Sequence, residues 1–210
     1  MKLHIGQSAL QGGIRRYPFD LLELLVAPNL PQPKKLALWV DAMPSRVFSL
    51  RLPPEVVRPG SAQEEIVERA LRARDALGAR WGVLTTSPTT TPTARNRALL
   101  TALTERLRSP DWRLAWEPHG VWAPEEAEGW AEELDLTLVR DLSRDDAPET
   151  SVVYTRLRAL GFGTRVGARA IERLAERLEG VEEAYVVIEG EGAVRAAASL
   201  RELLGGEADA

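Results

Sequence analysis

The chain has 210 residues, 44 % hydrophobic and 28 % charged, with a formal net charge of −4 and no cysteine. That balance is globular rather than disordered, and the length suits one domain at the short end for eight β/α units. The missing cysteine excludes disulfides, thiolate metal sites and a cysteine nucleophile, and it suits a reducing compartment, with the cytoplasm as the default.

Lysine occurs only at positions 2, 34 and 35, so arginine carries nearly all of the 27 basic residues. The acidic balance provides no global field for nucleic acid. No signal-peptide pattern opens the chain and no run approaches the ~20 apolar residues of a membrane span, so neither secretion nor membrane insertion is expected.

Short apolar runs recur at 2–5, 21–26, 46–51, 80–85, 112–117, 135–141, 152–157 and 184–189. Runs such as Leu136-Thr137-Leu138-Val139 and Ala184-Tyr185-Val186-Val187-Ile188 read as parallel strands buried on both faces. Amphipathic patterns between them predict helices near 32–43, 61–78, 92–108, 124–133, 167–179 and 192–204. In the 61–78 helix, Ser61 and Glu64 form a capping-box pattern and Gly78 suits a C-cap. Pro92 and Pro124 stand at expected first helical positions. The links at 6–20 and 142–151 are too short or irregular for full helices.

Eight strands alternating with helices imply right-handed parallel crossovers and closure into a (β/α)8 TIM-type barrel, with abbreviated helices after strands 1 and 6. One domain over 1–205 is expected, followed by a short tail at 206–210. A Rossmann-type sheet is the rival. It is disfavoured because Gly6-Gln7-Ser8-Ala9-Leu10-Gln11-Gly12-Gly13 lacks the G-x-G-x-x-G spacing that receives a pyrophosphate.

A barrel gathers the C-terminal ends of its strands at one mouth. Glu23 interrupts the apolar run Leu21-Leu22-Glu23-Leu24-Leu25-Val26, and a buried carboxylate needs a partner, for which Arg51 is a candidate. Such a pair either fixes register or binds a ligand. Arg156, within Val153-Tyr154-Thr155-Arg156-Leu157, poses the converse problem, and Glu117 or Asp141 could answer it.

Glu117-Pro118-His119, with Trp122 close behind, places a carboxylate, an imidazole and an aromatic wall on one loop. Glu117 and His119 are therefore the catalytic candidates, and as mouth groups both are expected to be replaceable without loss of stability. A surface histidine is the plainer alternative. Two histidines cannot assemble a histidine-rich zinc cluster. Glu23, Glu117 and Asp141 could hold Mg²⁺, but without a diagnostic spacing, so no metal ligand and no cofactor are assigned. Gly161 and Gly163, before the 167–179 helix, are candidate phosphate-binding positions or simply a turn. The polar stretch from Thr85 to Pro92 is either a lid or a loop ending in a helix cap, with the cap favoured.

Taken together these segments resemble the YecE-like family, domain of unknown function seventy-two. The resemblance rests on Ile5-Gly6-Gln7-Ser8, on Phe19 to Glu23 against F-N-T-V-E, on Phe48 to Pro53 against F-x-x-K-x-P, and on Arg113 to Trp122 against E-F-R-H-P-S-W. Asp141, Val153 to Leu157 against Y-V-R-L, and Ala193-Val194-Arg195 complete it in the same order. The likeness implies a β/α barrel of unsettled activity with Glu23, Glu117, His119, Asp141, Tyr154 and Arg156 in its pocket. The chain departs from the family at Leu25, Arg51, Arg158 and Ile188-Glu189-Gly190, and the arginine of E-F-R is missing.

The resulting expectation is a barrel that binds a small polar or anionic ligand through Glu23, Arg51, Trp122, Asp141, Tyr154, Arg156, Gly161 and Gly163, with Glu117 and His119 serving a hydrolase or lyase. Two alternatives stand beside it: a non-catalytic ligand-sensing or protein-interaction barrel, and a metal-dependent phosphodiesterase or nuclease. Nothing in the sequence reports the oligomeric state.

Overall fold

The computed structural model describes residues 1–10, 12–158 and 166–205. Among these residues eight strands and six α-helices alternate. The strands are β1 (Lys2–Gln7), β2 (Leu21–Leu25), β3 (Val47–Leu52), β4 (Trp81–Thr85), β5 (Arg113–Glu117), β6 (Thr137–Leu138), β7 (Val152–Arg158) and β8 (Glu183–Glu189). The helices are α1 (Pro33–Ala42), α2 (Ser61–Leu77), α3 (Ala94–Leu107), α4 (Pro124–Glu133), α5 (Ala168–Arg177) and α6 (Ala193–Leu203).

All strand pairs are parallel, in the order β6-β5-β4-β3-β2-β1-β8-β7. The two edges meet at a single parallel bridge between Arg140 and Thr155, where the Arg156 amide donates to the Arg140 carbonyl at 3.0 Å. The result is a nearly closed (β/α)8 barrel, as the sequence pattern requires. A 3₁₀ turn at Ile14–Arg16 replaces a helix after β1, and the described residues between β6 and β7 contain none.

Several local expectations are corrected. The strand expected over 135–141 pairs with β5 only at Thr137 and Leu138, because Asp135 takes a positive φ of 54° and delays the extended backbone. Gly60, not Ser61, is the N-cap of α2, so no capping box forms, and Glu64 instead receives two bonds from Arg106. Pro92 precedes α3 rather than opening it. Thr93 caps that helix, its hydroxyl accepting from the Asn96 amide at 3.2 Å. Gly78 ends α2 in the left-handed region, as expected, and Pro124 opens α4. The tail at 206–210 lies outside the described residues.

One core lies between sheet and helices, and a second fills the barrel. Alternate residues of each strand point inward, so the interior is built in layers. At the strand N-termini, Glu183 accepts from Arg113 at 2.7 Å and from Arg80 at 3.1 Å. Above this plug sit Trp81, Tyr154 and Tyr185, with Trp81 meeting both tyrosines edge-on. A second charged layer covers these rings at the strand C-termini.

Candidate functional site

The upper layer is built around Arg156 on β7, which is 2 % exposed. Its Nη1 and Nη2 donate to the two oxygens of Glu23 on β2, each at 2.8 Å. Its Nε donates to both oxygens of Glu117 on β5 at 3.1 Å, and Nη1 reaches Glu189 on β8 at 3.0 Å. Beneath it the Tyr154 hydroxyl donates to Glu23 at 2.7 Å and lies 3.0 Å from Ser49 Oγ. Glu23 on β2 and Glu117 on β5 lie on strands that do not neighbour β7, so the curvature of the barrel brings them to Arg156.

Arg158, two residues further along β7, shares the same inward face. It donates to Glu117 at 2.5 Å and to Glu189 at 3.3 Å. Arg51 stands farther off, 3.8 Å from Glu23 and 3.6 Å from Glu189. Arg156 is thus the principal partner of Glu23, and Arg51 supports it. Of the two carboxylates considered for Arg156, Glu117 takes the role. Asp141 does not, because its oxygen accepts from the Ser143 hydroxyl and its other oxygen lies 3.4 Å from Arg144.

Burial works against charge on Glu117, but His119, Arg156 and Arg158 outweigh it and hold the carboxyl at about 2. A carboxyl so acidic is an anion at neutral pH and cannot serve as a proton donor. Glu117 is also 5 % exposed. Its charge is built into a buried network with Arg156 and Arg158, so its replacement is expected to cost stability, unlike that of an exposed mouth group. Tyr154, 1 % exposed, is likewise part of that network, and burial pushes its hydroxyl well up.

His119 is placed differently. Its side chain is 29 % exposed, with Nε2 3.6 Å from Glu117 Oε1. The loop that carries it is tied twice: the His119 amide donates to Thr86 Oγ1, and its carbonyl accepts from Trp122 Nε1, both at 3.2 Å. Gly120 needs its positive φ of 106° here, and a Cβ at that position would lie 2.6 Å from the Pro88 carbonyl oxygen. The polar stretch after β4 thus supports the His119 loop as well as leading into the Thr93 cap. Trp122 is wedged edge-on between Trp116 and Trp130, with ring centroids 4.9 and 4.8 Å away.

Beside this loop opens a cleft of about 860 Å³, whose walls include Glu117, His119, Trp122, Asp141, Arg156 and Arg158. Glu23 and Tyr154 do not line this cleft, and Arg51 faces a smaller hollow with Gln7 and Glu189. Gly161 and Gly163 lie outside the described residues. Arg158 and Glu189 are expected from the sequence among the charged residues at the strand C-termini, without a binding or catalytic role. The period of two puts Arg158 on the inward face with Arg156, and its register partner is Glu189.

No group of three or more His, Cys, Asp or Glu side chains among the described residues could hold a metal ion. No described helix is long and apolar enough to cross a membrane.

No protein-family model matches the chain, and no curated protein matches it. Solved structures do. A DUF72 family protein from Enterococcus faecalis superposes with a TM-score of 0.77 at 16 % identity, over 99 % of this chain and 97 % of the other. A DUF72 family protein from Thermotoga maritima gives 0.72 at 16 % identity, over 97 % and 98 %. A xylose isomerase-like TIM barrel protein from Mycobacterium smegmatis, solved in complex with magnesium, gives 0.58 at 12 % identity, over 91 % and 86 %. The chain is therefore similar, over nearly its whole length, to the DUF72 family barrels whose fold it shares, the family that its motif order resembles.

Proposed function

We propose that this DUF72-type barrel binds a small polar or anionic molecule in the cleft between the His119 loop and β7, with His119 as its proton-transferring group. The observation that carries this reading is the pairing of an ionised, immobilised Glu117 with a partly exposed His119 on the wall of an open cleft. A fixed carboxylate 3.6 Å from Nε2 orients the imidazole, and a partly exposed, oriented imidazole on a cleft wall has the access that a general base in a hydrolase or lyase needs. Trp122 supplies a flat apolar wall and Arg158, 40 % exposed, a cation at the rim. The volume lies within the usual range of small-molecule sites, roughly 300–1,000 Å³. The cysteine-free composition supports a reducing, cytoplasmic setting.

Magnesium belongs to the Mycobacterium smegmatis barrel, and the residues of this chain do not suit it. The carboxylates that converge at the mouth already surround the Arg156 guanidinium. That arrangement supports a metal-independent reading over the nuclease one.

The test is a thermal-shift screen of neutral polyols, carboxylates and phosphate esters on the parent protein and on His119→Ala. A ligand of either charge class should raise the parent melting temperature. His119→Ala should lose turnover of that ligand while melting within roughly 2 °C of the parent, as expected for a partly exposed loop residue. Binding and no turnover would favour the ligand-sensing barrel. If no small molecule shifts the parent, the reading fails.

A further inference from the structure

We infer that Arg156 is a resident cation, occupying with its guanidinium the position among Glu23, Glu117 and Glu189 that a divalent metal ion would otherwise take. Three carboxylates from β2, β5 and β8 converge on one buried point near the barrel mouth. Glu23 is fully buried and Glu117 nearly so. Two desolvated anions this close require a cation between them.

The guanidinium meets that requirement geometrically. Its Nε and both terminal nitrogens face carboxylate oxygens at 2.8 to 3.1 Å, two of them as a fork on Glu23. A divalent ion would need those oxygens at about 2.0–2.6 Å from a common centre. The planar fork holds them too far apart for that and saturates them instead.

Charge closes the argument. Glu23, Glu117 and Glu189 carry three negative charges against one on Arg156, and Arg158 and Arg51 supply the rest from the exposed side. The three arginines cancel the three glutamates, leaving no net anionic field to draw in a metal ion. The chain thereby carries its own fixed positive charge at the barrel mouth, on β7, with Glu117 held ionised beside His119. This assignment stands whether or not the adjoining cleft binds a ligand.

The experiment is chemical replacement of the cation. Arg156→Ala removes the guanidinium and leaves a cavity among three carboxylates. The parent should show no bound Mn²⁺ by electron paramagnetic resonance and no change in melting temperature with MnCl2. Arg156→Ala should melt lower, bind one Mn²⁺ per chain, and regain roughly 5 to 10 °C when MnCl2 reaches about 100 times its dissociation constant. Adding Glu23→Gln to it should abolish both effects.

A purely structural arginine predicts no such uptake, so a folded Arg156→Ala that ignores Mn²⁺ overturns the inference. So does a parent protein whose Mn²⁺ binding is lost in Glu23→Gln. If Arg156→Ala does not fold even with MnCl2, Arg156→Lys decides. A lysine ammonium supplies the cation without the fork, so this variant should stay folded and indifferent to Mn²⁺, and an unfolded or Mn²⁺-binding Lys variant refutes the assignment.

Discussion

Replacing Glu23 by glutamine tests the network at its most buried member. The substitution keeps the shape of the side chain but removes the charge and turns one acceptor into a donor. In the parent, Glu23 receives two bonds from Arg156 at 2.8 Å and one from Tyr154 at 2.7 Å, with no solvent to replace them. Charge-assisted bonds of this kind contribute roughly 1.5–3 kcal/mol each, and removing one partner of a buried pair costs about 3–5 kcal/mol. Arg156 keeps Glu117 and Glu189, so it is not stranded. The expected loss therefore falls at the low end, about 3 kcal/mol, or roughly 6–12 °C in melting temperature for a chain of this size. Urea unfolding followed by tryptophan fluorescence measures it, with an unchanged dependence on urea showing that the cost lies in stability. A loss below about 1 kcal/mol, within the reach of ordinary surface changes, would mean that the pair is not held as described.

Other outcomes follow from the same structure. Glu117 is depressed from 4.5 to about 2 in the folded chain, so its ionisation stabilises the fold fully above pH 4.5, and that contribution is lost as the pH falls toward 2. A stability–pH curve should drop across that window by about 3 kcal/mol from this group, and Glu117→Gln should flatten it while lowering stability at pH 7. Thr93→Ala should cost about 1 kcal/mol by uncapping α3, whereas Ser61→Ala should change little because Ser61 makes no cap, and a chemical-denaturation comparison of the two distinguishes them. Gly6→Ala should fail to yield folded protein by circular dichroism, since its Cβ would lie 1.8 Å from the Leu21 carbonyl oxygen between β1 and β2.

What the sequence determined by itself was whatever depends on local pattern. Continuous apolar runs such as 184–188 can satisfy their surroundings only as strands covered on both faces, and eight of them separated by amphipathic helices leave a closed parallel barrel as the compact arrangement. Glu23 and Arg156 stood out for the same reason, since a charge inside such a run must find a partner. The tertiary structure alone decided which partner. Glu23 and Arg156 are 133 residues apart and Arg156 and Glu117 are 39 apart, and no spacing rule connects strands that meet only through the curvature of the barrel. Asp141, by contrast, turned to its own loop, where it accepts from Ser143. Glu117 passed from catalytic candidate to fixed anion because its acidity depends on His119, Arg156 and Arg158, which only the fold gathers around it.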